Sequence, residues 1–97
     1  MLNTTNLSEG STIVLKQAID SMRGNGFDFG FTDDIVVAGW PAGKVGGHLT
    51  DLTNRGVIQI FTDRGDQLIE PAGDQYTDER YEAIAELVAW SAEERKR

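Results

Sequence analysis

Ile13, Val14, Leu15, Ala18, Ile19 and Met22 recur at helical spacing, so one stripe of a helix collects them. Ser8 or Ser11 can cap its start. Gly24 and Gly26 can take the positive φ that ends it. The pattern predicts a first helix over residues 11–23, after a frayed start at 1–7. "FDFGFT", residues 27–32, alternates aromatic with small or polar residues. That period of two predicts a short strand with Phe27, Phe29 and Phe31 on one face. A loop whose aromatics plug the core is the alternative. Ile35, Val36, Val37 and Ala38 then predict a short second helix, capped by Thr32 or Asp33 and broken at Gly39.

Pro41 is suited to the first turn of a third helix, where its missing N–H is no loss. Val45, Leu49 and Leu52 face inward at spacings of four and three, and Gly56 stops the helix. "VIQIFT", residues 57–62, is β-branched and aromatic and predicts a strand. "DRGD", residues 63–66, is a turn, and "QLIE", residues 67–70, returns as the second strand of a hairpin closed by Pro71. Thr77 caps a last helix over 77–92, with Asp78 and Glu79 where the helix dipole favours acids. Tyr76 and Tyr81 occupy the positions of a hydrophobic staple. Ile84, Ala85, Leu87, Val88 and Trp90 continue the apolar face. "EERKR" is expected to fray.

The predicted order is helix, strand, helix, helix, hairpin, helix. It resembles the winged helix-turn-helix family, in the manner of the MarR-type and related small bacterial or phage regulators. Gly39 matches the turn between the two central helices. Val45, Leu49 and Leu52 match the buried positions of the recognition helix. "RGVI", residues 55–58, matches its exit, and "FTDRGDQLI", residues 61–69, matches the wing. The resemblance covers about residues 11–70. It implies an α+β fold, a winged helix with an extra C-terminal helix, forming a single domain over 1–97. It also implies double-stranded DNA as partner, a role in transcription regulation, and a homodimer through the C-terminal helix; Leu87 and Trp90 either form that contact or extend the core of a monomeric domain.

Charge complicates that expectation. The chain has 97 residues and a formal net charge of -7. Seven acids (Asp74, Asp78, Glu79, Glu82, Glu86, Glu93, Glu94) face one base, Arg80, across residues 74–94. Residues 33–65 are near neutral, with Asp33, Asp34, Asp51 and Asp63 against Lys44, Arg55 and Arg64. Any phosphate contact must therefore be local, against the field of the whole molecule.

The exposed positions of the third helix should be Ala42, Gly43, Lys44, Gly46, Gly47, Thr50 and Asp51. Among them, Lys44 and Thr50 could contact DNA, while Asp51 would repel phosphate. Gly46 and Gly47 each cost up to about 0.5–1 kcal/mol in a helix interior against alanine. Either a backbone approaches closely there, or the helix packs tightly within its own domain. Arg64 at the wing tip is the leading DNA contact; the alternative is a turn residue paired with Asp63 or Asp66. Arg55 would sit near a helix C-terminus. The DNA-binding candidates are thus Gly43, Lys44, Gly46, Gly47, Thr50, Arg55 and Arg64, with the basic end at 95–97 as a further source of positive charge.

The alternative is a protein-interaction module, such as a phage-encoded inhibitor or adaptor. It would use the glycine-lined helix or the acidic stripe of Glu79, Glu82, Glu86 and Glu93. An amphipathic helix presents such a stripe to water in any case. His48 is the sole histidine, expected half-buried and hydrogen-bonded, and there is no cysteine, so neither a multi-histidine nor a thiolate metal site is expected. Asp33 and Asp34 read as capping residues. "RGD", residues 64–66, is discounted as a chance tripeptide. No catalytic residues and no cofactor are expected, so the chain does not read as an enzyme. It lacks an apolar run of membrane-spanning length and a signal-peptide pattern at its start, so no membrane partner and a cytoplasmic location are expected.

Overall fold

A computed structural model describes residues 2–41 and 43–96. The fold is α+β, with three α-helices and one three-stranded antiparallel sheet among the described residues. The elements are α1 (Glu9–Arg23), β1 (Gly30–Phe31), a 3₁₀ turn (Thr32–Asp34), α2 (Lys44–Asn54), β2 (Ile58–Asp63), β3 (Asp66–Pro71) and α3 (Asp78–Arg95). The sheet order is β1-β3-β2.

α1 is the centre of the core. Val14, Leu15, Ala18, Ile19 and Met22 have no exposed surface. They pack with Leu49 and Leu52 of α2, Val57 just before β2, Ile58 and Ile69 of the sheet, and Leu87 of α3. The predicted stripe is the buried one. Ser8 caps the helix, its side chain accepting from the Ser11 N–H, so α1 begins two residues before the expected start.

The predicted second helix is not there. Only the single turn Thr32–Asp34 forms, and Ile35 is already extended at φ -90°, ψ 103°. The cause is local. The Gln17 side-chain amide accepts from the Val36 N–H at 2.8 Å and donates to the Val36 carbonyl at 3.0 Å. One side chain thus satisfies the backbone groups that a helix would otherwise pair. Three successive β-branched residues, Ile35, Val36 and Val37 (Thr32 stands further back), and a length too short for a costly nucleus do the rest. Ile35 plugs the core at 5% exposure, while Val36 is 72% exposed.

The first strand is also shorter than expected. Phe27 has φ 62° and its N–H donates to the Met22 carbonyl, so it closes α1 instead of starting a strand. Phe29 and Phe31 meet edge to face, 5.4 Å between centroids. Gly30 permits β1 to lie against α1: a Cβ there would stand 2.8 Å from Ser21 Oγ. That hydroxyl accepts from the Phe31 N–H and donates to Asp34 Oδ2, so Asp34 ties the turn to α1 and caps no second helix.

The hairpin is as predicted. Asp63 pairs with Asp66, leaving Arg64 and Gly65 as a two-residue turn at φ 53° and 87°. Both positive values mark the type I′ geometry that matches the strand twist.

α3 departs from its expected face. Its buried residues are Arg80, Ala83, Leu87 and Ser91. Trp90 is half-buried against the core, while Ala85 and Val88 are exposed. Leu87 and Trp90 therefore extend this domain's own core and are not surface contacts. Tyr76 and Tyr81, 79% and 58% exposed, form no ring pair among the described residues, so the staple is not made. Thr77 does cap, accepting from the Arg80 N–H at 3.3 Å. The helix continues to Arg95, through part of the segment expected to fray. The chain start is tied as well: the Leu2 N–H donates to Glu86 at 3.1 Å, and Leu2 and Leu7 pack on the core.

Arg80, the lone base in its acidic segment, is only 4% exposed. Its Nε donates to the Gly73 carbonyl at 2.9 Å, and its Nη2 stands 3.3 Å from Glu70. Gln59 bonds Glu70 and the same Gly73 carbonyl. This network joins α3 to the sheet.

Candidate functional site

α2 begins at Lys44, not at Pro41. Gly43, at φ 88°, stands at the N-cap and makes no side-chain bond to the first turn. The Lys44 N–H donates to the Pro41 carbonyl and the Gly47 N–H to the Gly43 carbonyl. A helix start without a capping side chain leaves amide donors pointing outward. Gly43, Gly46, Gly47, Thr50 and Asn54 follow on one exposed stripe, by helical spacing.

A Cβ built at Gly46 or Gly47 would meet nothing within 4 Å. Tight packing within the domain is therefore excluded as the reason for these glycines. The stripe is open backbone facing solvent. Thr50 is exposed, and its hydroxyl donates to the Gly46 carbonyl at 3.0 Å. Asn54 extends the stripe, and its signal in the sequence is its place four residues beyond Thr50. Ala42 lies outside the described residues.

Lys44 stands on the flank of that stripe. Its ammonium sits 4.4 Å from the Trp40 ring centroid, a cation–π contact that holds the side chain over the indole. Trp40 in turn lies 5.2 Å from the His48 ring. An open cleft lined by Ser8, Glu9, Gly10, Trp40, Lys44 and His48 runs beside them.

The adjoining flank of α2 is a polar joint with α1. Ser11, fully buried, donates its hydroxyl proton to Asp51 at 2.8 Å. His48 Nδ1 lies 3.0 Å from the same oxygen. One hydroxyl carries one proton, so His48 must donate through Nδ1–H. Gly10 makes room for the ring: a Cβ there would stand 2.3 Å from His48 Nε2. Asp51 also accepts from Arg55 Nε at 3.1 Å. The Ser11 hydroxyl and then Arg55 hold the Asp51 carboxyl below its ordinary value. The residue types are those of a hydrolytic triad, yet the geometry is not. Asp51 bonds Ser11 and not the imidazole, and Ser11 Oγ is closed to solvent.

This joint changes two expectations. Asp51 does not stand free to repel phosphate; its charge is turned to Ser11 and Arg55. Arg55 is drawn away from any groove: its Nη1 donates to the Thr5 carbonyl at 2.8 Å and its Nη2 reaches the Asn6 carbonyl at 3.5 Å. It fastens the chain start to the end of α2.

Arg64 is different. It is exposed at the hairpin tip and, among the described residues, makes no hydrogen bond, ion pair or ring contact. The other described cations are engaged: Lys16 with Glu94, Arg95 with Asp20, Lys96 with Glu93, Arg80 with Glu70, Arg55 with Asp51, and Arg23 and Lys44 with aromatic rings. Of the acidic stripe, Glu86 accepts from Leu2 and Glu93 pairs with Lys96, while Glu79 and Glu82 are exposed.

Among the described residues, no group of three or more acids and histidines is placed to hold a metal ion, and no helix is long and apolar enough to cross a membrane. Comparisons with protein-family models, curated proteins and solved structures return no match. The functional reading rests on the geometry.

Proposed function

We propose that this chain is a small winged-helix DNA-binding protein that acts as a transcriptional regulator. The observation that carries the reading is the solvent face of α2. It starts at a helix end without a capping side chain and runs through Gly43, Gly46 and Gly47 with no atom above the two helical glycines. Amide donors at a bare helix start are a ready phosphate site. Lys44 stands beside it, and Thr50 and Asn54 follow along the same stripe as groups that can reach base edges. The unengaged Arg64 at the hairpin tip suits a backbone or minor-groove contact. In this reading the first helix of the motif is reduced to the turn Thr32–Asp34, and α2 is positioned by α1 through the Ser11–His48–Asp51 joint.

The protein-interaction alternative keeps the exposed Glu79, Glu82 and Glu93 of its acidic stripe, while Glu86 is engaged with the Leu2 N–H.

Selection from a random duplex pool at low and moderate salt tests the proposal. Retention that falls steeply with salt, with an enriched sequence, is the expected outcome. Arg64→Ala should then weaken binding about five- to tenfold and reduce the salt slope by about one phosphate contact. No retention at low salt would overturn DNA binding; retention unchanged by Arg64→Ala would remove the hairpin tip from it.

A further inference from the structure

The sheet ends on β2. Its order is β1-β3-β2, so β2 has a strand on one side only. Asp63 and Asp66 flank the two-residue turn as a hydrogen-bonded pair, and such pairs alternate along an antiparallel ladder. Phe61 and Gln59 therefore bond β3, while the backbone N–H and C=O groups of Ile60 and Thr62 point away from it. Pro71 fits the same phase: it stands opposite Ile58, where the ladder asks no N–H of it. Among the described residues, the outward groups of Ile60 and Thr62 have no hydrogen-bond partner.

Proteins blunt a free edge with a lysine, a proline or a bulge. β2 has none of these: its sequence is IQIFTD, and its register runs unbroken from Ile58 to Asp63. A cleft of about 570 Å³ lies alongside, lined by Gly56, Ile58, Gln59, Ile60, Gly73 and Glu79 among others. It adjoins a narrower cleft bounded by Glu79, Glu82 and Glu86. Glu79 and Glu82 are exposed and have no ion-pair or hydrogen-bond partner among the described residues. Arg80 is turned inward to Glu70.

We propose that the β2 edge docks an extended, basic segment of another protein as a fourth, antiparallel strand. Backbone bonds to Ile60 and Thr62 hold the segment, and its side chains select it. Strand side chains alternate between faces. The residue opposite Ile60 shares its face and extends the apolar surface there. The residues between turn to the other face. Gln59 and Arg80 meet on the Gly73 carbonyl, which places the start of α3, with Glu79 and Glu82, on that second face. The occupant therefore carries lysine or arginine at every second position, with apolar residues between. A second copy of this chain does not meet that requirement. Its β2 has no cation, and each copy brings a net charge of -7. The pairing does not depend on duplex binding.

The probe is a short fluorescein-labelled peptide alternating lysine and valine, titrated into the full chain at moderate salt and followed by anisotropy. Amide hydrogen exchange locates it. Saturable binding is expected, with protection at Ile60 and Thr62 rising about tenfold or more and little change at Gln59 and Phe61, already in the ladder. A peptide alternating glutamate and valine should bind at least about tenfold more weakly, and E79Q/E82Q should weaken the lysine peptide about three- to tenfold. N-methylation of the valine amides, which leaves the protein untouched, should weaken it about tenfold or more. No saturable binding overturns the proposal. Binding without new protection at Ile60 and Thr62, or indifferent to valine methylation, is charge attraction alone and overturns the docked strand. Equal binding of the glutamate peptide overturns the basic occupant. Protection of those amides that rises with the chain's own concentration, without peptide, assigns the edge to a second copy and overturns the foreign one.

Discussion

Asp51 shows how a single carboxylate changes meaning once its neighbours are known. Read along the helix it is an exposed acid where DNA would approach. In the fold it accepts hydrogen bonds from the Ser11 hydroxyl and the Arg55 Nε–H, and these hold its pKa below the ordinary value of 3.8. A depressed folded value means that the unfolded chain takes up the proton first as pH falls. The stabilisation is complete above the unfolded value and drains away as pH drops below it. Thermal melts of the parent and of Asp51→Asn should therefore differ at neutral pH and converge on acidification to about pH 2–3. Parallel pH profiles for the two would show that the joint contributes no such linkage. Nothing in the one-dimensional pattern marked Ser11 as Asp51's partner. The available signal was the spacing of three between His48 and Asp51, which puts both on one flank of α2.

At the scale of elements, hydrophobic periodicity located α1, the hairpin and the inward residues of α2, because each buries one continuous stripe against a single neighbour. It failed where a long-range polar contact or a second apolar face intervened. The run of Ile35, Val36 and Val37 read as helix because the Gln17 clamp lies on another element and leaves no local trace. α3 was misread because apolar residues occur on both its core face and its outer line, so periodicity alone could not say which was buried. The candidate face was legible in part: the exposure of Lys44 and the glycines on α2 follows from helical spacing, whereas the role of Arg55 as a fastener of the chain start depends on contacts with residues fifty positions away.

The glycines of α2 allow the structural and functional accounts to be separated. With open space at both Cβ positions, Gly46→Ala and Gly47→Ala should raise stability, each by up to about 0.5–1 kcal/mol and toward the lower end this close to the helix start. Duplex affinity should fall in the same variants, because methyl groups would hold a phosphate backbone off the helix. Melting curves and anisotropy titrations read the two effects independently. Alanines that stabilise without weakening binding would show that the bare face is not the one that touches DNA.

Over the whole molecule, acidity and contact geometry pull in opposite directions. The net charge of -7 repels a polyanion at long range, while α2 offers near-neutral ground at short range and the hairpin tip sets the single cation Arg64 between Asp63 and Asp66. Both interactions are screened by salt, so the observed salt slope should be shallower than the number of phosphate contacts alone would produce.

The clamp of Gln17 on Val36 also determines where the folded state yields first. Residues 35–41 have neither a helix nor a strand ladder, and one amide side chain, itself tethered to the most deeply packed helix, holds their exposed middle. Opening of its exposed middle, residues 36–39, requires the loss of the two Gln17 hydrogen bonds and little burial, because the packed side chains, Ile35 and Trp40, stand at its two ends. In native-state hydrogen exchange the Val36 amide should therefore exchange through local opening, long before amides of α1 or β3, and Gln17→Ala should accelerate it without changing those core amides. Equal protection across the three would mean that the segment opens only when the whole domain unfolds. A single glutamine would then mark the border between a cooperative body and a strap that breathes on its own.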